Sequence, residues 1–222
     1  MPTTLRSRCP VCTRPPAHCL CCHVRIVHQR TRLLVLQHPE EAQHPFNTAR
    51  LAVMSLHNAE CWIGERFEAL PQAIAQAQYP VLLFPGEHAL NIAHGSTPGN
   101  STDHSEPCAH TPQTSTDTLL PDLLIVPDGT WRQAGRLVRE NPALDAVQRV
   151  QIPLGAPSAY RIRCTHKPGA ISTLEAIVRV LNYWEPETDF SPVEQLFERM
   201  VSQQIAAREQ AQQHSTRGRL LR

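Results

Sequence analysis

Short apolar runs alternate along this chain with segments in which apolar residues recur at helical spacing. The apolar runs have the length of strands and cover residues 31–38, 61–67, 79–87, 119–127 and 148–154. Apolar strands that alternate with helices are typical of parallel sheets covered on both faces. We therefore predict an α/β fold with a mainly parallel sheet covered by helices.

The predicted helices carry apolar stripes. They cover residues 45–58, 70–78, 128–141, 171–184 and 191–209. Thr130 with Gln133, and Ser172 with Glu175, have the spacing of a capping box, in which two side chains satisfy the first backbone N–H groups of a helix. Asn47 or Thr48 can cap the helix in residues 45–58. The sequence therefore indicates the start of three helices.

One segment breaks this alternation. Residues 94–118 are rich in Ser, Thr, Pro, His and Asp and almost empty of apolar residues, so we expect a disordered insertion. The strand pattern resumes afterwards, so the insertion divides no domain. We predict a cysteine-rich unit in residues 1–30, a catalytic domain in 31–210 and a flexible basic tail in 211–222.

The hydropathy pattern also argues against a membrane protein. No apolar run approaches the roughly 20 residues of a membrane span. The N-terminus has arginines but no apolar stretch behind them, so it lacks the pattern of a signal peptide. We expect a cytoplasmic protein with no membrane contact.

Four cysteines near the N-terminus have the spacing C-x2-C-x6-C-x-C, with Cys22 and His23 directly after them. They are Cys9, Cys12, Cys19 and Cys21. Closely spaced cysteines in the cytosol bind metals more often than they form disulfides. Four thiolates complete a tetrahedral shell, so we predict a small knuckle around a structural Zn²⁺. An iron–sulfur cluster and a set of free thiols are the alternatives.

The net charge of +1 hides an uneven distribution of basic residues. Residues 1–39 contain no Asp or Glu, and a second basic stretch lies in residues 132–167. Among the 21 basic residues, Lys167 is the only lysine. Guanidinium groups bind phosphate through two parallel hydrogen bonds and stack on bases, so this bias favours nucleic-acid binding. A coding bias toward Arg explains the same counts.

The run 119–127 ends at Asp128, Gly129, Thr130 and Trp131. Parallel sheets bind ligands beyond the carboxyl ends of their strands. An acid there, beside a basic helix, suits a general base that acts on a substrate held by arginine. A turn aspartate, a capping threonine and a core tryptophan explain the same residues, and local chemistry leaves both interpretations open.

The blocks around this turn resemble a known family. "PDGTWRQAGRLVRENP" closely resembles the signature of the DTW-domain proteins. The blocks "CPVCTRPPAHCLC", "LQHPEEAQHPFNTARL", "LLFPGE", "RVQIPLGAPSAYRIRC" and "ISTLEAIVRVL" resemble that family in the same order. The resemblance covers about residues 8–200, apart from the insertion.

The resemblance implies an activity and a fold. Bacterial members are tRNA-uridine aminocarboxypropyltransferases, which move the 3-amino-3-carboxypropyl group of S-adenosylmethionine to N3 of a uridine in the tRNA variable loop. Methylthioadenosine leaves. The family is similar in fold to the SPOUT class, so the resemblance implies a trefoil knot. We expect tRNA as partner, S-adenosylmethionine as co-substrate and no stable protein partner.

The resemblance also suggests roles for single residues. Asp128 becomes the base for uridine N3, Trp131 stacks on uracil or adenine, and Thr130 bonds the transferred group or only caps the helix. The residues implied for the cofactor are Phe84, Pro85, Gly86, Glu87, Pro127, Gly129, Ser172, Thr173 and Glu175. The candidates for tRNA phosphates are Arg50, Arg132, Arg136, Arg161 and Arg163. For Ser172 and Glu175, a capping box alone is the alternative.

Two other functions fit the same features. One is a SPOUT-like RNA methyltransferase that uses the same cofactor. The other is a zinc-containing RNA-binding protein without catalysis, which would bind tRNA and release no methylthioadenosine.

Overall fold

The structure is a computed structural model that describes residues 8–44, 46–92, 120–152 and 171–220, with backbone alone for residues 211 and 213–220. Its centre is a six-stranded sheet with the order β2-β1-β5-β3-β6-β4. The strands are β1 (Arg32–Gln37), β2 (Ala59–Ile63), β3 (Pro80–Leu83), β4 (Leu90–Asn91), β5 (Leu123–Asp128) and β6 (Gln148–Gln151). Every neighbouring pair is parallel, which confirms the predicted sheet.

The helices are α1 (Pro39–Ala42), α2 (Thr48–Ser55), α3 (Leu70–Ala75), α4 (Trp131–Glu140), α5 (Thr173–Trp184) and α6 (Ser191–Leu220). The capping boxes that open α4 and α5 are both formed, as predicted. Of the two residues suggested as the cap of α2, Asn47 is the one used. None of the helices in the described ranges combines the length and the apolar character that crossing a membrane requires.

The core lies on both faces of the sheet because alternate strand residues point to opposite sides. On one face, Val35 and Val126 belong to a large cluster with α2, α5 and α6. On the other face, Leu34 and Ile125 pack with α3 and Val138 of α4. Burial on both faces explains why the strands appear in the sequence as unbroken apolar runs.

The carboxyl ends of β1 and β5 lie side by side, with Gln37 opposite Asp128 in the register. At Gly129 the chain turns into α4 so tightly that a Cβ there would lie 2.9 Å from Cβ of Gln133. The turn predicted to be functional is therefore at the edge of the sheet where ligands of parallel sheets bind.

Some predictions fall outside the described residues. These are the insertion 94–118, and Arg161 and Arg163 as contacts of tRNA. The backbone of the predicted tail is helical as far as Leu220, where α6 ends. Its flexibility stays a prediction.

Candidate functional site

The carboxylate of Asp128 is buried, with 4% of the residue exposed, and it is surrounded by side-chain donors. Its Oδ2 accepts hydrogen bonds from Nε2 of Gln37 at 2.8 Å and from Nδ2 of Asn47 at 3.3 Å. Its Oδ1 accepts a hydrogen bond from Oγ1 of Thr173 at 2.6 Å. A buried polar group needs such partners because it has lost those of water. They also fix the plane of the carboxylate.

These donors come from three elements. Gln37 ends β1, Asn47 caps α2, and Thr173 is the first residue of α5. The N-termini of two helices therefore converge on Asp128, and their dipoles favour negative charge there. Gln37 and Thr173 had no predicted contact with Asp128, and Asn47 was predicted only as a cap.

Both the oxygen and the nitrogen of the Asn47 side-chain amide make hydrogen bonds. Its Oδ1 accepts the backbone N–H of Arg50 at 2.7 Å, and its Nδ2 donates to the carbonyl of Glu41 at 3.1 Å as well as to Asp128. A flip of the amide would break this pattern, so the orientation of the donor toward Asp128 is fixed.

Thr130 and Trp131 differ in their surroundings. Oγ1 of Thr130 accepts the backbone N–H of Gln133 at 3.3 Å, and Oε1 of Gln133 accepts the backbone N–H of Thr130 at 2.7 Å. The capping role of Thr130 is thus formed. Trp131 is 55% exposed, so solvent reaches its ring. It is therefore not the core tryptophan that the sequence also allowed.

A second polar group lies behind the turn. Nδ1 of the buried His38 accepts a hydrogen bond from the backbone N–H of Glu40 at 3.3 Å. In a neutral ring the proton is therefore on Nε2. This Nε2 lies 3.3 Å from Oε1 of Glu65. The other oxygen of Glu65 pairs with Arg136 at 2.7 Å. Arg136, a predicted contact of tRNA, therefore already has one acidic partner.

Besides burial, the charge of Asp128 also affects the pKa of the Cys61 thiol, which lies on β2. Burial raises its pKa to about 11, the charge of Asp128 contributes to the rise, and the charge of Arg50 opposes it. Both charged residues are therefore close enough to act on this thiol. The sequence carried no signal for the position of Cys61.

The predicted cofactor residues lie on three segments. Phe84, Pro85, Gly86 and Glu87 follow β3, Pro127 and Gly129 flank Asp128, and Ser172, Thr173 and Glu175 begin α5. A Cβ on Gly86 would lie 3.2 Å from Nη1 of Arg149, so the loop after β3 approaches that side chain closely. Ser172 and Glu175 use their side-chain oxygens in the capping box.

The arginines predicted to contact tRNA differ in exposure. Arg132 and Arg136 are exposed on α4. Arg50 is half-buried, and it donates from Nη2 to the carbonyl of Ala42 at 2.6 Å and from Nη1 to Oγ1 of Thr13.

The four predicted metal ligands, Cys9, Cys12, Cys19 and Cys21, are brought together: their sulfur atoms all lie within 4.8 Å of one another. The Sγ atoms of Cys9 and Cys21 are 3.6 Å apart, and those of Cys12 and Cys19 are 3.7 Å apart. Tetrahedral Zn²⁺ with bonds of about 2.3 Å to sulfur requires separations of about 3.8 Å. The four thiols therefore fit one zinc ion, with no vacant ligand position.

The four thiols differ in how readily they ionise. Backbone N–H groups of Cys12 and Val11 lower the pKa of Cys9 to about 6. Burial, and then the neighbouring thiols, raise the pKa of Cys21 to about 12. Four thiolates therefore require a bound cation to ionise together.

A comparison with known proteins extends these observations. The sequence model of the DTW domain family matches residues 6–205 of the chain. The chain is 28% identical over 191 residues to tRNA-uridine aminocarboxypropyltransferase 2 of Drosophila melanogaster, which is 81% of this chain and 67% of the fly protein. It is 28% identical to the Macaca fascicularis protein of the same name, with 83% and 58% covered. It is 27% identical to tRNA-uridine aminocarboxypropyltransferase A of Arabidopsis thaliana, with 82% and 74% covered.

The chain thus spans only about three fifths of the length of the macaque protein. No solved structure matches the chain.

Proposed function

The chain belongs to the DTW domain family, and from this premise we propose that it transfers the 3-amino-3-carboxypropyl group of S-adenosylmethionine to N3 of a uridine in the tRNA variable loop. One observation carries the proposal: more than four fifths of the chain aligns with proteins named tRNA-uridine aminocarboxypropyltransferase. The tRNA substrate agrees with the cytoplasmic location that the sequence predicts.

The proposed reaction forms one N–C bond, breaks one C–S bond and transfers one proton to a base. Uridine N3 loses its proton and bonds to the methionine Cγ, the C–S bond to the sulfonium breaks with its electron pair on sulfur, and methylthioadenosine leaves. S-adenosylmethionine supplies the activated carbon. The protein must therefore hold N3 in line with that bond and accept one proton.

We assign the proton to Asp128. Two hydrogen bonds already occupy Oδ2, whereas Oδ1 accepts one, from Thr173. A carboxylate oxygen has two acceptor positions, so Oδ1 has one that no described residue occupies, and the fixed plane of the group directs it. This position is the one proposed to take the N3 proton.

The remaining roles follow the chemistry of each side chain. The exposed ring of Trp131 stacks on uracil or adenine. The backbone around Phe84, Pro85, Gly86, Glu87, Pro127 and Gly129, together with Ser172, Thr173 and Glu175, would hold S-adenosylmethionine, with its carboxylate near the N–H groups that begin α5. The hydroxyl oxygen of Thr130 caps α4 as an acceptor. A hydrogen bond to the transferred group would therefore use the hydroxyl proton of Thr130.

For tRNA, Arg132 and Arg136 form the proposed phosphate-binding face of α4, with Arg161 and Arg163 as further candidates. Among the described residues, the guanidinium of Arg50 donates two hydrogen bonds, whereas that of Arg136 has one acidic partner. We also propose that Cys9, Cys12, Cys19 and Cys21 hold a structural Zn²⁺, and that the parallel sheet is the centre of a SPOUT-like, knotted fold.

A labelling experiment tests the transfer. The protein is incubated with tRNA and S-adenosylmethionine labelled either in the methyl group or in the carboxyl carbon, and the nucleosides are identified by mass spectrometry. We expect carboxyl label in a uridine that has gained the aminocarboxypropyl group. Methyl label alone would indicate a methyltransferase, and binding of tRNA without either label would indicate a non-catalytic RNA-binding protein.

A further inference from the structure

The knuckle formed by residues 9–21 contains a residue in an unusual backbone conformation. Thr13 has φ 57°, in the left-handed region that side chains with a Cβ rarely adopt. Its backbone N–H donates to the carbonyl of Cys9 at 2.9 Å, which closes the turn around Cys9 and Cys12. The turn also aims the hydroxyl of Thr13 at the body of the protein, where it accepts a hydrogen bond from Nη1 of Arg50.

Arg50 joins three parts of the structure. Besides Thr13, its guanidinium binds the carbonyl of Ala42 at the end of α1, at 2.6 Å. Its backbone N–H binds Oδ1 of Asn47, the cap of α2, at 2.7 Å. The knuckle, the α1–α2 turn and the cap are therefore held by one residue.

The next contact reaches the proposed base. The same Asn47 donates from Nδ2 to Oδ2 of Asp128 at 3.3 Å. We propose that Arg50 is a positioning residue of the transfer reaction, because it ties the cysteine knuckle to Asn47 and so fixes the carboxylate of Asp128. This inference rests on the proposed function.

A positioning role for Arg50 and a role as a tRNA phosphate contact predict different kinetic effects. A phosphate contact contributes to tRNA affinity and to its dependence on salt. A positioning residue leaves both unchanged and lowers kcat, because a small misplacement of a reacting group slows the reaction strongly. The half-buried guanidinium and its two protein acceptors favour the second role.

Four single variants of the 222-residue chain, and the double variant Arg50→Gln/Thr13→Gly, test the proposal. Arg50→Gln removes the tether, which is the guanidinium contacts with Thr13 and Ala42, and keeps the backbone N–H bond to Asn47. Thr13→Gly removes the hydroxyl, and glycine accepts the positive φ. Thr13→Ser keeps the hydroxyl and is the matched control for that position. Arg66→Gln removes an arginine from an exposed ion pair with Glu140 and controls for lost charge.

We expect Arg50→Gln and Thr13→Gly each to lower kcat about 10- to 100-fold with unchanged tRNA affinity and salt dependence. The double variant should lose no more of its kcat than Arg50→Gln alone, because both changes break the same contact, the one between Arg50 and Thr13. Thr13→Ser and Arg66→Gln should keep the parent kcat. Weaker tRNA binding in Arg50→Gln with unchanged kcat, or additive losses in the double variant, would overturn the proposal.

Hydrogen exchange separates this inference from the proposed function. Both tether variants should speed amide exchange in residues 39–50 with the knuckle metal still bound, as measured by its stoichiometry. Parent protein that shows no transfer would contradict the proposed function, and the exchange result would still decide the tether. Unchanged exchange in both variants would overturn the tether even in an active enzyme.

Discussion

At Asp128, one buried carboxylate satisfies donors from β1, α2 and α5. Replacing it with asparagine keeps the shape but turns one oxygen into an NH₂ group, which would face a donor. The site would then lose both its base and part of its hydrogen bonding. Asp128 therefore gives two separable effects, one on chemistry and one on stability.

For Asp128→Asn we expect kcat to fall about 100- to 10,000-fold, the range of general base catalysis. The free energy of unfolding should fall by about 1–3 kcal/mol because a buried donor loses its acceptor. Turnover assays and urea unfolding measure the two effects. The control is Asp145→Asn, whose side chain is 72% exposed. Full turnover with normal tRNA binding would contradict the role of Asp128 as base.

The thiol of Cys61 reports on the same carboxylate. Burial and then the charge of Asp128 raise its pKa to about 11, so the thiol is protonated and unreactive at pH 8. In Asp128→Asn the negative charge is gone, so the thiolate becomes less unfavourable and its pKa should fall. The fall should be smaller than the effect of burial, which is the larger cause. The rate of alkylation of Cys61 against pH, followed by mass spectrometry, measures this shift, and an unchanged profile would contradict it.

The sequence offered Asp128 as a candidate but gave no sign of its hydrogen-bond partners, and chain separation explains the difference. A strand end followed by Asp-Gly-Thr-Trp is a local signal. Gln37, Asn47 and Thr173 lie 91, 81 and 45 positions away from Asp128, so only the folded sheet brings them together. The donors of a site built by parallel strands are therefore invisible to local pattern reading.

At the scale of elements, two capping boxes have the same pattern but different burial. Ser172 is 7% exposed, whereas the hydrogen bonds of Thr130 are exposed to solvent. Water can replace a lost cap at Thr130 but reaches Ser172 less readily. The same substitution should therefore have unequal costs at the starts of α4 and α5.

We expect Ser172→Ala to lower the free energy of unfolding by about 1–2 kcal/mol and Thr130→Ala by about 0.5–1 kcal/mol. In a chain of this length, each kcal/mol lowers the Tm by about 2–4 °C. Urea unfolding and thermal melts of both variants give the comparison, with each variant serving as the control for the other. Equal losses would show that burial does not set the cost of the cap.

Element starts were predictable because a cap and an apolar stripe are encoded within a few residues. The capping boxes of Thr130 and Ser172 are formed as predicted. Two short elements, α1 and β4, were not predicted: α1 has four residues and β4 has two. Neither is long enough to show a helical or alternating pattern, and each exists because its neighbours hold it.

At the scale of the whole molecule, the cysteine knuckle is built onto the α/β body rather than attached by a linker. Leu20 is fully buried in the cluster that contains α2, α5 and α6. Nη2 of Arg14 donates to Oε1 of Gln203 on α6 at 3.3 Å, and its guanidinium lies 5.7 Å from the centre of the Phe46 ring. Metal in the knuckle should therefore stabilise more of the protein than the knuckle itself.

Removal of the metal tests this coupling. We expect Cys12→Ser to lose the metal, to lower the Tm by several degrees, and to speed amide exchange in both residues 8–30 and residues 39–50, because the knuckle contacts the body on two sides. Cys22→Ser is the matched control, since Cys22 is exposed and outside the four-sulfur cluster. Metal analysis, thermal melts and exchange mass spectrometry measure the three effects. Parent protein that folds normally without any metal would refute the zinc assignment. Faster exchange confined to residues 8–30 would show that the knuckle stabilises itself alone.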